Sequence, residues 1–89
     1  MRILQEEVTF RRDLKRVRKR GKNIDKLKAA IIKLSAGEML PASYRDHFLT
    51  GNYKGFRECH IEPDWLLIYR MTEVALILVR TGSHSDLFD

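Results

Sequence analysis

The segment Arg57-Glu58-Cys59-His60-Ile61-Glu62-Pro63-Asp64-Trp65 gathers a cation, three carboxylates, an imidazole and an indole, and no other window of the chain is as dense in chemistry. Imidazoles change charge near neutral pH, so a histidine beside a carboxylate is suited to moving protons. The chain has three histidines, and each has a carboxylate close in sequence: Asp46 beside His47, Asp64 after His60 and Asp86 after His84. They fall in a loop, at a strand end and in the tail, positions where catalytic groups are commonly displayed. Shared general acid–base catalysis is the functional reading; exposed loop histidines are the plain one. Imidazoles and Asp64 are proper zinc ligands, but no His-x-x-x-His pair or paired cysteine occurs, so neither a metal nor another cofactor is expected. Cys59 is the only cysteine. It excludes an intrachain disulfide, and inside a strand it reads as a small core residue rather than a nucleophile.

These groups need a scaffold. Alternation from Tyr53 to His60 predicts a half-exposed strand with Phe56, Glu58 and His60 on one face. Pro63 stops it and forms a turn with Asp64. The apolar run from Trp65 to Tyr69 is too short for a helix and rich in strand formers, which predicts a buried strand continuing to Met71. There Trp65 and Tyr69 serve the core or act as platforms for bases. A turn at Thr72-Glu73 leads to a strand from Val74 to Arg80. Upstream, weak alternation through Leu4, Glu6 and Val8 predicts a first strand near a sheet edge. From Thr9, as N-cap, Phe10, Leu14 and Val17 recur at helical spacing until Gly21. Asn23 then caps a second helix with the stripe Ile24, Leu27, Ile31 and Leu34, ended by Gly37. The short link predicts an antiparallel helical hairpin. Residues 37 to 52 read as an irregular, functional loop. The tail from Thr81 is polar until Leu87 and Phe88, which read as an anchor. The expected fold is α+β over residues 1–89 as one domain: a strand, two helices and an antiparallel meander, with the helices on one face of the sheet.

A chain of 89 residues supports one modest core and an open, shallow site. The net charge of +5 and pI near 9.7 point to a polyanionic partner. Between Arg11 and Lys28, ten cations (Arg11, Arg12, Lys15, Arg16, Arg18, Lys19, Arg20, Lys22, Lys26, Lys28) oppose only Asp13 and Asp25. A solvated helix face is the plain reading; the concentration is what lifts the functional one, a surface for nucleic acid, an anionic membrane or an acidic protein. Glu6 and Glu7 stand where a signal peptide needs apolar residues, and Arg70 ends the longest apolar run well short of a membrane span. A soluble, cytoplasmic protein without a membrane partner is expected.

Three separated motifs carry a resemblance. Asp46-His47-x-Leu49-x-Gly51, the run Lys54 to Tyr69, and Arg80-Thr81-Gly82-Ser83-His84-x-x-Leu87-Phe88 resemble, in order and spacing, the YafQ branch of the RelE-type bacterial toxins. The similarity covers the whole chain in element order. It implies a ribosome-dependent endoribonuclease that cuts mRNA and is held inactive by a cognate antitoxin. It implies His47, His60, Asp64 and His84 at the catalytic positions, with Arg57, Glu58, Trp65, Arg80 and Phe88 around the substrate. Phe48 departs from the pattern, which leads one to expect a proline that would stiffen the chain after His47. RNA cleavage without a metal needs a base for the 2′-hydroxyl, an acid for the departing 5′-oxygen and cations for the charge on phosphorus. His84 is expected as the acid, His47 or His60 as the base, Arg80 and Arg57 as the cations, and Asp64 as the group that orients a histidine. Charge alone assigns Arg11, Arg12, Lys15, Arg16, Lys19 and Arg20 to ribosome or RNA docking. The alternatives are a non-catalytic RNA-binding module whose aromatics stack bases, and an inactive toxin relic that only binds its antitoxin.

Overall fold

The stripe Phe10, Leu14 and Val17 folds as helix α1 (Val8–Lys19), and the second stripe as α2 (Ile24–Ser35), in the computed structural model, which describes residues 1–88. Gly21, at φ 81°, takes the left-handed turn that closes α1: its N–H bonds the Arg18 carbonyl and the Lys22 N–H bonds Val17. Asn23 caps α2 as expected, its side chain accepting from the Asp25 N–H. The expected Thr9 cap is not formed. α1 begins earlier, with Glu7 at the N-cap position, and the Thr9 hydroxyl donates instead to the Val79 carbonyl at 2.7 Å.

Strands β1 (Ile3–Glu6), β2 (His47–Phe48), β3 (Arg57–Glu62), β4 (Trp65–Met71) and β5 (Ala75–Gly82) form one sheet in the order β1-β5-β4-β3-β2. β3, β4 and β5 are the expected antiparallel meander. β1 takes the expected edge position but pairs parallel to β5, which makes the sheet mixed. The expected irregular stretch holds two short 3₁₀ turns, Ala42–Tyr44 and Gly51–Tyr53, and the two-residue strand β2. Tyr53 therefore lies in a turn, and the strand predicted from it begins only at Arg57. The tail is also more ordered than expected: His84–Phe88 forms a short helix, α3.

The sheet divides two apolar clusters. Under the long helices, Phe10, Val17, Leu27 and Leu34 pack on Cys59, Trp65, Leu67, Tyr69, Leu76 and Leu78. On the opposite face Leu66, Ile68 and Leu87 pack with Leu49, Tyr53, Phe56 and Val79. β4 is covered on both sides, which is why its sequence is continuously apolar rather than alternating. β1 stops at Glu6, leaving the edge of β5 bare beyond Leu78. Thr9 and Asp13, one turn apart on α1, close that edge: Thr9 serves the Val79 carbonyl, and Asp13 accepts from the Thr81 N–H at 3.2 Å.

Candidate active site

Strand register assembles the site. His47 lies opposite Glu58, Glu58 opposite Ile68, and Ile68 opposite Arg80; the next row runs His60, Leu66, Gly82. Both rows face away from the long helices. Because α3 starts just after Gly82, His84 comes down beside His60. The result is a line of three imidazoles, with ring centroids 6.2 Å apart from His47 to His60 and 5.9 Å from His60 to His84.

Each ring is held through Nδ1. His47 Nδ1 meets the Arg45 carbonyl at 2.7 Å, and His60 Nδ1 meets the Tyr44 carbonyl at 3.3 Å. A carbonyl only accepts, so Nδ1 carries the proton on both rings and Nε2 is left for chemistry. The two consecutive carbonyls are splayed because Arg45 sits in the left-handed region at φ 46°, an uncommon place for a residue other than glycine. Glu58, only 5% exposed, lies between the two rings, with Oε1 3.5 Å from His47 Nε2 and 3.8 Å from His60 Nε2. His84 is held by Asp64, which accepts from the His84 backbone N–H at 2.9 Å and from Nδ1 at 2.6 Å. Those two bonds lower the Asp64 pKa below its ordinary value, the backbone bond first.

None of the three sequence-neighbour pairings forms. Asp46 turns to the helical side of the sheet, where it accepts from Arg57 Nε at 2.9 Å and from the Tyr69 hydroxyl. Asp64 serves His84 rather than His60. Asp86 binds Arg20 rather than His84. The structure thus brings His47, Glu58, His60, Asp64 and His84 together, with Phe88 at the rim, 6.5 Å from the His84 ring and edge-on to Tyr53. Leu87 is the buried half of the expected anchor, whereas Phe88 stays 46% exposed. Arg80 stands at the flank and curls around the β5 edge to Asp13, with Nε to Oδ2 at 2.6 Å.

Arg57 and Trp65 are not in the line. The Arg57 guanidinium lies on the other face, 4.3 Å over the ring of Phe48, the residue standing in the expected proline position. Trp65 is 1% exposed and donates Nε1 to Thr81 at 3.0 Å, so it supports the sheet from beneath and has no face open to a base. Cys59 is fully buried, and burial pushes its thiol up to about 12, as its core reading requires.

The basic segment splits in two. Arg16 binds Asp13 at 2.7 Å, Arg20 binds Asp86, and Lys22 and Lys26 clamp Glu62 at 2.9 and 3.0 Å. Arg11, Arg12, Lys15 and Lys19 are exposed and make no ion pair among the described residues. The Tyr44 and Arg45 carbonyls, which hold two of the three rings, had no signal in the sequence, because backbone groups carry no residue-type signature.

A family model described as the bacterial toxin of type II toxin–antitoxin system, YafQ, matches residues 2–89. The chain is 45% identical over 80 residues to the mRNA interferase toxin YafQ of Escherichia coli (strain K12), covering 89% of this chain and 87% of that protein. The crystal structure of YafQ from E. coli strain BL21(DE3) matches with a TM-score of 0.94 at 40% identity over 100% of both chains. A chain of the E. coli DinJ–YafQ toxin–antitoxin complex matches with a TM-score of 0.92 at 42% identity, covering 99% of this chain and 98% of that one. Fold and site together define a RelE-like toxin of a type II toxin–antitoxin system. Within that class, the chain belongs to the YafQ family.

Proposed function

We propose that this protein is an mRNA interferase: an endoribonuclease that cuts message on the ribosome, in the cytoplasm, by acid–base chemistry supplied by its own imidazoles. The observation that carries the reading is the line of three rings, each fixed through Nδ1. Bases and acids for RNA cleavage must flank one phosphate with known protonation sites, and a module that only gripped RNA would have no use for that arrangement. His84 protonates the departing 5′-oxygen while Asp64 orients its ring. His47, with its side chain half exposed, takes the 2′-hydroxyl proton, and His60, 8% exposed, backs it through Glu58. Arg80 offers the charge for the phosphorane, and Phe88 a rim on which a base can stack.

The relative's complex with DinJ supports a cognate antitoxin as partner. An acidic segment of such a partner would find Arg11, Arg12, Lys15 and Lys19 unpaired, so its binding should weaken with added salt. No helix among the described residues is long and apolar enough to cross a membrane.

The test is single-turnover cleavage of ribosome-bound message, with analysis of the new ends. A 2′,3′-cyclic phosphate on the upstream fragment, formed at an undiminished rate when any ion beyond the ribosome's magnesium is chelated, is expected. An upstream fragment ending in a 3′-hydroxyl would overturn the mechanism.

A further inference from the structure

Charge alone assigns Arg20 to RNA docking, but its geometry serves something else. Its guanidinium is bidentate on Asp86, with Nη1 to Oδ2 at 2.5 Å and Nη2 to Oδ1 at 3.0 Å. Asp86 also closes a reciprocal cap at the start of α3: its Oδ2 accepts from the Ser83 N–H at 3.0 Å, and its own N–H donates to Ser83 Oγ at 3.1 Å. Gly82 makes room for this carboxylate, since a Cβ there would stand 2.8 Å from Asp86 Oδ2. α3 has five residues, too few to persist without outside support. Leu87 supplies its apolar contact, and among the described residues Arg20 alone grips its carboxylate bidentately, the Arg16 Nε standing farther off at 3.8 Å. The other restraint on His84, Asp64, has a side chain 68% exposed and is open to solvent.

We infer that Arg20 is a positioning residue for the reaction: through Asp86 it docks α3 and so sets where His84 meets the leaving oxygen. The end of α1 thereby becomes part of the catalytic apparatus rather than of the docking face. This rests on the endonuclease reading above. The depressed Asp86 pKa agrees with it, the Arg20 bond being the largest cause.

Docking and positioning predict opposite kinetics. For Arg20→Gln, positioning predicts a saturated single-turnover rate lowered about tenfold or more, with KM and the salt dependence of binding close to wild type. Arg20→Lys, which keeps the charge but loses the fork, should recover only part of the rate. The double exchange Arg20→Asp with Asp86→Arg should recover more than either single change, and Lys33→Gln, an equal loss of charge outside the basic segment, should behave as wild type. A raised KM with an unchanged saturated rate and a salt slope shallower by about one unit would overturn the inference, because that is the signature of a lost phosphate contact. A second measurement needs no RNA. In the free toxin the His84 Nδ1–H resonance should broaden or vanish in Arg20→Gln while those of His47 and His60 stay in place. Unmoved His84 signals would overturn the clamp even if cleavage is slowed. If the wild-type protein cuts no RNA, the endonuclease reading falls, whereas the resonance experiment still decides the clamp.

Discussion

The two ends of the imidazole line are built differently. At one end, His47 and His60 hang from consecutive backbone carbonyls and share a buried carboxylate, Glu58. At the other, His84 is held by side-chain carboxylates, Asp64 directly and Asp86 through α3, and by the Arg20 guanidinium on Asp86, with Arg16 behind it. Carbonyls neither titrate nor attract counterions. Their hold on the two rings should therefore persist as salt is added, while the ionic end weakens with salt and, in acid, with the protonation of its carboxylates. A base that must abstract a proton from a bound substrate gains from rigid placement. An acid on a short, ionically docked helix can instead be set or released.

The largest expected effect is His84→Ala. Losing a general acid costs about 10²–10⁴ in rate, and because the ring is half exposed the protein should melt as wild type. Single-turnover cleavage beside a thermal melt checks both, and near wild-type cleavage would remove the acid role. Next is Glu58→Gln, which keeps the shape but removes the charge between His47 and His60. A rate loss of about tenfold is expected; an undiminished rate would show that the carboxylate between the two rings does not serve them.

A smaller effect tests the carbonyl-held end through its backbone. Arg45→Val places a β-branched residue at φ 46°, where such a side chain is a genuine outlier and destabilises beyond what arginine already costs there, and should displace the carbonyls that hold both rings. Arg45→Gly should keep them in place. Denaturant midpoints and histidine ring resonances would separate the variants, and equal behaviour would mean that the left-handed turn is incidental. The smallest effect belongs to acid. The folded Asp86 pKa lies below the ordinary 3.8, so its contribution is complete above that value and is lost only as pH falls below it. α3 should loosen under those acid conditions and not between pH 5 and 8, as Leu87 methyl signals would report.

Much of the fold was legible from periodicity. The stripes of α1 and α2, the continuous apolar run of β4 and the stops at Gly21 and Pro63 each reflect a local rule, and the edge position of β1 followed from its weak alternation. The parallel pairing of β1 with β5 was not legible, since a single strand carries no sign of its partner's direction. α3 was missed because five residues are too few for a helical period. Its signature was present in Ser83 and Asp86, a cap pair at the right spacing.

The amino-acid sequence by itself determined which groups are available: three imidazoles, a lone cysteine destined for the core, and a cationic first helix. Tertiary structure decided every pairing among them. Asp46, Asp64 and Asp86 each left the histidine nearest in sequence for a partner 11, 20 or 66 residues away. The physical reason is geometric. Adjacent residues of a strand point to opposite faces, and residues two apart on a helix do not face each other. An imidazole therefore meets the carboxylate that strand register or a docked helix brings to its face, and the chain neighbour points elsewhere.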